Sequence, residues 1–421
     1  MKNKKTITKL GYLLSGIFTF CIATSCSYIQ DRFDNLFPSS SSKESSSNND
    51  SPSSSSSDVS SSLSESSSQD EMSSESSLSE NVSSSEDSQE KEPLFDSLDF
   101  YFISAGKSGT LYNGDSIYIK AGETDILIDA GPKAWSSQSI INEVNKYCTD
   151  NKLEYVIATH AHADHIPGFY GTNANGIFYN YDIGTIIDFP VTQSKTATYS
   201  NYLKGRDYAV SKGATHYSAL DCWNETDGAK KVYTLGNGLS MEILYQRYYE
   251  EIASGENDYS VSLLFRQGEK KMLFTGDLEE DGIESLLREN EIGEVDLYKG
   301  GHHGSINANP VSLFEVIKPK TICTCCVAGS NEYTANLSNT MPYQKTIDNW
   351  AKWTDDVYVT NYAIPTGKKQ DIGSNCGELN GTINVKYDVY GDKHISGSNN
   401  SLKLKDTEWM KTYRVMPTNW K

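Results

Sequence analysis

The sequence predicts a layered α/β fold, α+β in the way its layers stack. Two observations carry that expectation. Short apolar or alternating runs of strand length recur with helix-like stretches between them, and this pattern returns in two similar halves. In each half a strand runs directly into histidines. The 421 residues allow one large domain or two ordinary ones.

The N-terminus reads as a targeting segment. Lys2, Lys4, Lys5 and Lys9 precede an apolar run from Leu10 to Ile22, which is short for a membrane-spanning helix. It closes in Ala23-Thr24-Ser25-Cys26, which resembles a bacterial lipobox with Ala23 where Leu is usual. Residues 1–26 are therefore expected to be a lipoprotein signal peptide with Cys26 as the lipidated residue. The mature protein would be exported and held on the outer face of the cell membrane by that lipid.

Residues 27–93 are expected to form a disordered tether. From residue 38 they are mostly Ser with Glu, Asp and Asn, and bury too little apolar surface to offset the entropy of ordering. Much of the net charge of −19 sits here. The acidity weakens the case for a nucleic-acid partner, which calls for clustered Lys and Arg, without excluding one where metal ions supply local positive charge.

Composition changes abruptly at Leu94, the expected start of a folded domain over 94–395, followed by a C-terminal extension, 396–421. Strands are predicted at 98–103, 116–120 and 125–128, with Gly114-Asp115 and Gly122-Glu123 as turns between them. A helix is predicted over 137–146 and a strand over 153–158. The second half repeats the theme. Strands at 259–266 and 271–275 flank a turn at 267–269, a helix follows at 281–289, and a strand at 294–299 runs into Gly300-Gly301-His302-His303. Lys320 to Val327, with Cys323, Cys325 and Cys326, reads as a buried strand with cysteine as a small hydrophobe, in preference to a thiolate metal site. An exported chain permits disulfides, whose pairing stays open.

The strongest chemical signal is Thr159-His160-Ala161-His162-Ala163-Asp164-His165. Three histidines and an aspartate fall within six positions directly after an apolar strand, in a chain with seven histidines in all. A strand end holds the backbone still, and a tight loop can aim alternate side chains at one centre. Imidazole and carboxylate suit Zn²⁺ or Mn²⁺, and such an ion makes hydroxide available near neutral pH.

This His-x-His-x-Asp-His pattern resembles the signature of the metallo-β-lactamase superfamily, over residues 96 to 390. Ile126-Leu-Ile-Asp129-Ala-Gly131 resembles its early strand, and Leu273-Phe-Thr-Gly276-Asp277 the later strand whose aspartate bridges two metals. Gly301-His302-His303-Gly304-Ser305 resembles the last ligand loop of the branch that includes the hydrolase domain of the competence protein ComEC. Further likeness lies in Gly184 to Pro190 with Thr198-Tyr199, in Gly213-Ala214 and in Gly381 to Ile383. The resemblance implies an αββα sandwich and two divalent ions, Zn²⁺ first and Mn²⁺ next. It implies His160 and His162 on one ion, Asp164 and His165 on the other, Asp277 between them, and one of His302 and His303 completing the second site. Asp129 would support from behind, and Asp164 and His303 would act in catalysis, with a bridging hydroxide as nucleophile.

Two stretches depart from the pattern. Where the family offers another histidine, Glu256 to Ser260 presents Asn257 or Asp258, with Asn257 expected behind the ligands. The stretch from Asn331 to Pro342 lacks the His-Pro-His-like motif of competence proteins, and with it a phosphate-contacting histidine. His216 and His394 are read as ordinary surface or core residues. Within the branch the expected substrate is a phosphodiester: DNA, a cell-surface polymer or a small molecule. Two alternatives stand beside it, a lactonase or β-lactamase and a non-catalytic surface-binding lipoprotein. The 27 tyrosines are expected mostly on half-buried strand surface, with a sugar- or choline-stacking face as the alternative. No feature points to a stable protein partner.

Overall fold

A computed structural model describes residues 91–421 apart from 335, 337, 338 and 367–371. The leader, Cys26 and nearly all of the Ser-rich tether lie outside the described residues. Those described belong to one compact unit, Asp87–Lys421.

The first sheet begins with β1 (Leu98–Phe102), β2 (Ile117–Ala121), β3 (Thr124–Ile128), β4 (Lys152–Ile157), β5 (Asp182–Asp188) and β6 (Thr215–Ser218). The second contains β7 (Val232–Gly236), β8 (Leu239–Leu244), β9 (Ser262–Gln267), β10 (Lys270–Phe274), β11 (Leu297–Lys299), β12 (Thr321–Ala328), β13 (Val357–Pro365) and β14 (Ile372–Glu378). The chain then returns to the first sheet with β15 (Ile383–Tyr387) and β16 (Lys393–Gly397). The orders are β16-β15-β1-β2-β3-β4-β5-β6 and β14-β13-β12-β11-β10-β9-β8-β7. Each sheet has a parallel run, β3 to β6 in one and β10 to β13 in the other.

The two-residue period of a strand explains the layering. In β9, Leu263 and Phe265 enter the core shared with the first sheet, while Leu264 faces the second core. Met272 and Phe274 likewise face inward and Leu273 outward. Phe100 lies 5.6 Å from Phe265 and 5.4 Å from Phe274, ring centre to ring centre, and these contacts join the sheets. The outward residues meet Ile283 and Leu286 of helix Glu280–Glu289, Leu313 and Phe314 of helix Val311–Ile317, and Ile347 and Trp350 of helix Gln344–Trp350. On the other side, helix Ser137–Val144 buries Ile140, Ile141 and Val144. The result is the αββα sandwich that the resemblance implies.

Most sequence-predicted elements agree within two residues. The helix expected over 137–146 stops at Val144, the strand expected at 294–299 is regular only from Leu297, and the one expected from 259 starts at Ser262. Gly114-Asp115 is not a tight turn: residues 103–116 form one long connection without regular structure, and Asp115 is fully buried. β12 is buried along its whole length, as read, and its cysteines split between the two cores. The six described cysteines are free. Tyr118, Tyr202, Tyr249, Tyr259, Tyr298 and Tyr387 are fully buried, deeper than the half-buried surface expected. Past residue 396, Leu404, Trp409, Met410 and Trp420 close the second core.

Candidate metal centre

The carboxyl ends of β3 and β4 in one sheet and of β10 and β11 in the other meet at one place. β3 ends at Asp129, whose φ of 56° is left-handed. This conformation turns its carboxylate beneath the loop that follows β4. Oδ1 accepts from Thr159 N at 2.8 Å, and Oδ2 from Thr159 Oγ1 and His165 Nδ1, both at 2.7 Å. The loop returns on itself, with His165 N and Ile166 N reaching His162 O at 3.2 Å. It then enters a helical turn, Pro167–Tyr170, against Ala130. Gly168 is needed there, because a Cβ would stand 2.1 Å from Ala130 O. With His165 Nδ1 committed to Asp129, Nε2 is left facing Asp277 Oδ2 at 3.0 Å.

The second sheet supplies the other half. Beyond β10, Gly276 takes a φ of 56°, and Asp277 N donates to Ser260 Oγ at 3.1 Å, aiming the carboxylate into the seam. Beyond β11, His302 and His303 are both left-handed, with φ of 44° and 53°. That places two adjacent imidazoles in one tight turn. His303 Nδ1 lies 2.9 Å from Cys325 O and 3.2 Å from Asp115 Oδ1. Its Nε2 is 3.4 Å from Asp164 Oδ2 and 3.6 Å from Asp277 Oδ2. His302 stands further out. Its Nε2 is 3.8 Å from Asp277, and its Nδ1 is 3.4 Å from Asn257 Nδ2 and 3.6 Å from Glu279.

Two donor groups result. His160 Nε2 and His162 Nδ1 lie 3.0 Å apart. Asp164, His165, Asp277 and His303 each offer an atom, all within 4.8 Å of one another. Ligands of a four-coordinate ion such as Zn²⁺ sit about 3.3 Å apart, given bonds near 2 Å. The spacings of 3.0 to 3.6 Å bracket that value. Asp277 Oδ1 is buried without a hydrogen bond, an acceptor that a cation would satisfy. The donor set suits a divalent metal ion.

Electrostatics explains how such a set survives burial. Asp115, Asp129 and Asp277 are buried, and Asp164 nearly so. Burial alone would raise Asp164 and Asp277, yet nearby imidazolium charge holds both well below the usual carboxylate range. In return, His303 overcomes its own burial and is pushed up to about 10 by Asp277 and Asp115. His165 is raised by Asp277 and Asp129. Lys299, at the end of β11, reaches Asp115 at 2.5 Å, Gly276 O at 3.1 Å and Asp277 Oδ1 at 3.6 Å.

Residues 98–309, half of the chain, match the family described as Anti-Pycsar protein Apyc1. The chain belongs to this family. The Apyc1-family match runs from β1 to just past the His302-His303 turn, so it contains every sequence-predicted ligand. The fold, two mixed sheets packed between helices, is metallo-β-lactamase-like. Among solved structures, the metallo-β-lactamase fold protein YhfI from Bacillus subtilis is 12% identical, over 64% of this chain and 97% of that one, with a TM-score of 0.36. A diphosphatase of the PhnP family is 13% identical, over 62% and 94%, with a TM-score of 0.31. A metallo-β-lactamase superfamily protein from Thermotoga maritima is 13% identical, over 62% and 97%, with a TM-score of 0.28. No curated protein matches.

The structure gathers His160, His162, Asp164, His165, Asp277, His302 and His303, with Asp129 behind them. Of the pair left open, His303 lies in the donor group and His302 at its edge. Asn257, not Asp258, approaches the site: Asp258 Oδ1 instead accepts from Glu279 N at 3.1 Å. His216 and His394 pair with Asp188 and Asp388. Sequence reasoning missed Asp115, taken for a turn, and Lys299, taken for a strand end. Tyr333 was missed as well. Its hydroxyl donates to Asp164 Oδ2 at 2.6 Å from a loop in which only a histidine was sought.

Proposed function

We propose that this protein is a metal-dependent phosphodiesterase. The observation that carries this reading is the pairing of two donor groups in one seam with a buried lysine beside them. With the imidazoles neutral as ligands, two divalent ions and Lys299 would offset the carboxylates of Asp115, Asp129, Asp164 and Asp277 together with one hydroxide. Ions so balanced leave positive charge for the oxygens of an anion such as a phosphodiester, which a neutral lactone would use less fully. The His302-His303-Gly304-Ser305 turn supports the same branch.

His160, His162, Asp164, His165, Asp277 and His303 would hold the ions, Zn²⁺ first and Mn²⁺ next. Such ions lower the pKa of water and polarise phosphoryl oxygens. The chain's own contribution is orientation. Asp129 fixes His165, Asp115 and Cys325 O fix His303, and Ser260 fixes the backbone of Asp277. Asp164, partly exposed beside His303, is the carboxylate best placed to align an attacking water.

The test is metal content together with hydrolysis of bis(p-nitrophenyl) phosphate, for wild type and Asp277→Ala. About two ions per chain and activity lost in the variant are expected. A metal-loaded wild type that cleaves lactones and no phosphodiester would overturn the reading. The family match makes a cyclic nucleotide the first natural phosphodiester to try, ahead of DNA and cell-surface polymers. The kinship to ComEC-type domains and the lipid anchor at Cys26 stand as proposals of the same kind. Cys26→Ala should release the protein from membranes, and an unchanged membrane fraction would refute the anchor.

A further inference from the structure

Past β12, Ser330, Glu332 and Tyr333 lie beside the metal centre, and the first two are firmly tied. Ser330 Oγ donates to Leu111 O at 2.6 Å. Glu332 Oε2 accepts from Asn113 N at 2.7 Å and Asn113 Nδ2 at 3.1 Å, while Asn113 Oδ1 accepts from Val327 N at 2.8 Å. These bonds fix the backbone just ahead of Tyr333. The Tyr333 side chain is unusual in having one end in solvent and the other at the site. The residue is 47% exposed, yet its hydroxyl lies 2.6 Å from Asp164 Oδ2. Its ring stands edge-on to His302, with centroids 6.5 Å apart.

We propose that Tyr333 positions the substrate. Its hydroxyl donates to a non-bridging oxygen of the phosphodiester, and its ring forms, with His302, the wall against which one ester group rests. The proposal rests on the phosphodiesterase reading above. A phenol has a single hydrogen to give. Asp164 Oδ2 accepts it when nothing else does, and a cation on Asp164 would draw charge from that oxygen and make it a weaker competitor for the hydrogen than a bound anion. The phenolic hydrogen is then free to turn to an anion held at the same cation. A neutral donor suits this place, since it orients the anion without adding charge to the centre. The exposed ring suits the second task, because an amphipathic aromatic presents an apolar face to a leaving group while its polar tip stays in the site.

The experiment is Tyr333→Phe in the full chain loaded with Zn²⁺. Three readouts are needed: metal content, calorimetric binding of inorganic phosphate, and kcat and KM for bis(p-nitrophenyl) phosphate. Metal content is expected to be unchanged, which also shows that the site has folded. Phosphate should bind roughly tenfold more weakly, the effect of one hydrogen bond to a charged acceptor, and KM should rise more than kcat falls. Phosphate affinity and KM within about twofold of wild type would overturn the proposal. So would loss of metal in the variant, which would make Tyr333 a support for Asp164 alone. A wild type that binds metal and phosphate but cleaves no phosphodiester would instead overturn the phosphodiesterase reading.

Discussion

Lys299 Nζ lies 2.5 Å from Asp115 Oδ2, and neither side chain is more than 2% exposed. The pair joins the long connection before β2 to the end of β11, and through Asp115 it reaches His303. Removing one partner of a buried ion pair leaves the other charge uncompensated. Lys299→Met should therefore destabilise the metal-free protein by about 3–5 kcal/mol, read by urea unfolding. A loss below about 1 kcal/mol would mean that the pair adds little to the fold.

Asp115→Asn tests the orienting role separately. Asparagine keeps the size and an acceptor but gives Lys299 and His303 no charge. Partners that orient metal-bound imidazoles are typically worth about 10- to 100-fold in affinity. Titration with a chelator should show a loss of that order for the second ion, with the first ion little changed. Equal loss of both ions would place Asp115 outside this role.

The two adjacent histidines should separate cleanly. His303→Ala removes an atom from the donor group, and the protein should retain about one ion per chain. His302→Ala should retain about two and show its defect in turnover. The reverse pattern would exchange the two roles.

Asp258 gives a pH-dependent prediction. Burial first, then the Glu279 carboxylate, raises its pKa to about 6. The folded state therefore binds this proton more tightly than the unfolded chain does, so the group favours folding at low pH. That contribution fades as pH rises from about 4 through 6. Asp258→Asn keeps the acceptor for Glu279 N and removes the charge. After allowance for partial solvent screening, it should stabilise the protein by about 1–2 kcal/mol at pH 7.5 and by little at pH 4. Thermal melts at the two pH values check this, and equal shifts at both would exclude the charge as the cause.

Much of the fold and the site was legible because local pattern and final role coincide. In β9 and β10 the alternation of apolar residues matches the alternation of cores, and His160 to His165 follow a strand whose end fixes their aim. The residues that escaped act across long sequence distances. Asp115 meets Lys299 only after the sheets close, and nothing within ten residues of it distinguishes a buried carboxylate from a turn. Tyr333 reaches Asp164 over 169 positions of chain. Asn257 and Asp258 are adjacent in sequence, and only the short turn Glu256–Tyr259 decides which of them points at His302.

The left-handed turn at His302 and His303 bears on how this protein would evolve in the laboratory. A non-glycine residue in that conformation gives up roughly 1 kcal/mol or more, and here two do so in succession. Selection for heat resistance alone, with no demand on turnover, should therefore enrich glycine or asparagine at these positions early. The lineages that gain it would lose their imidazoles, and thermal robustness and hydrolysis would begin to part at this turn.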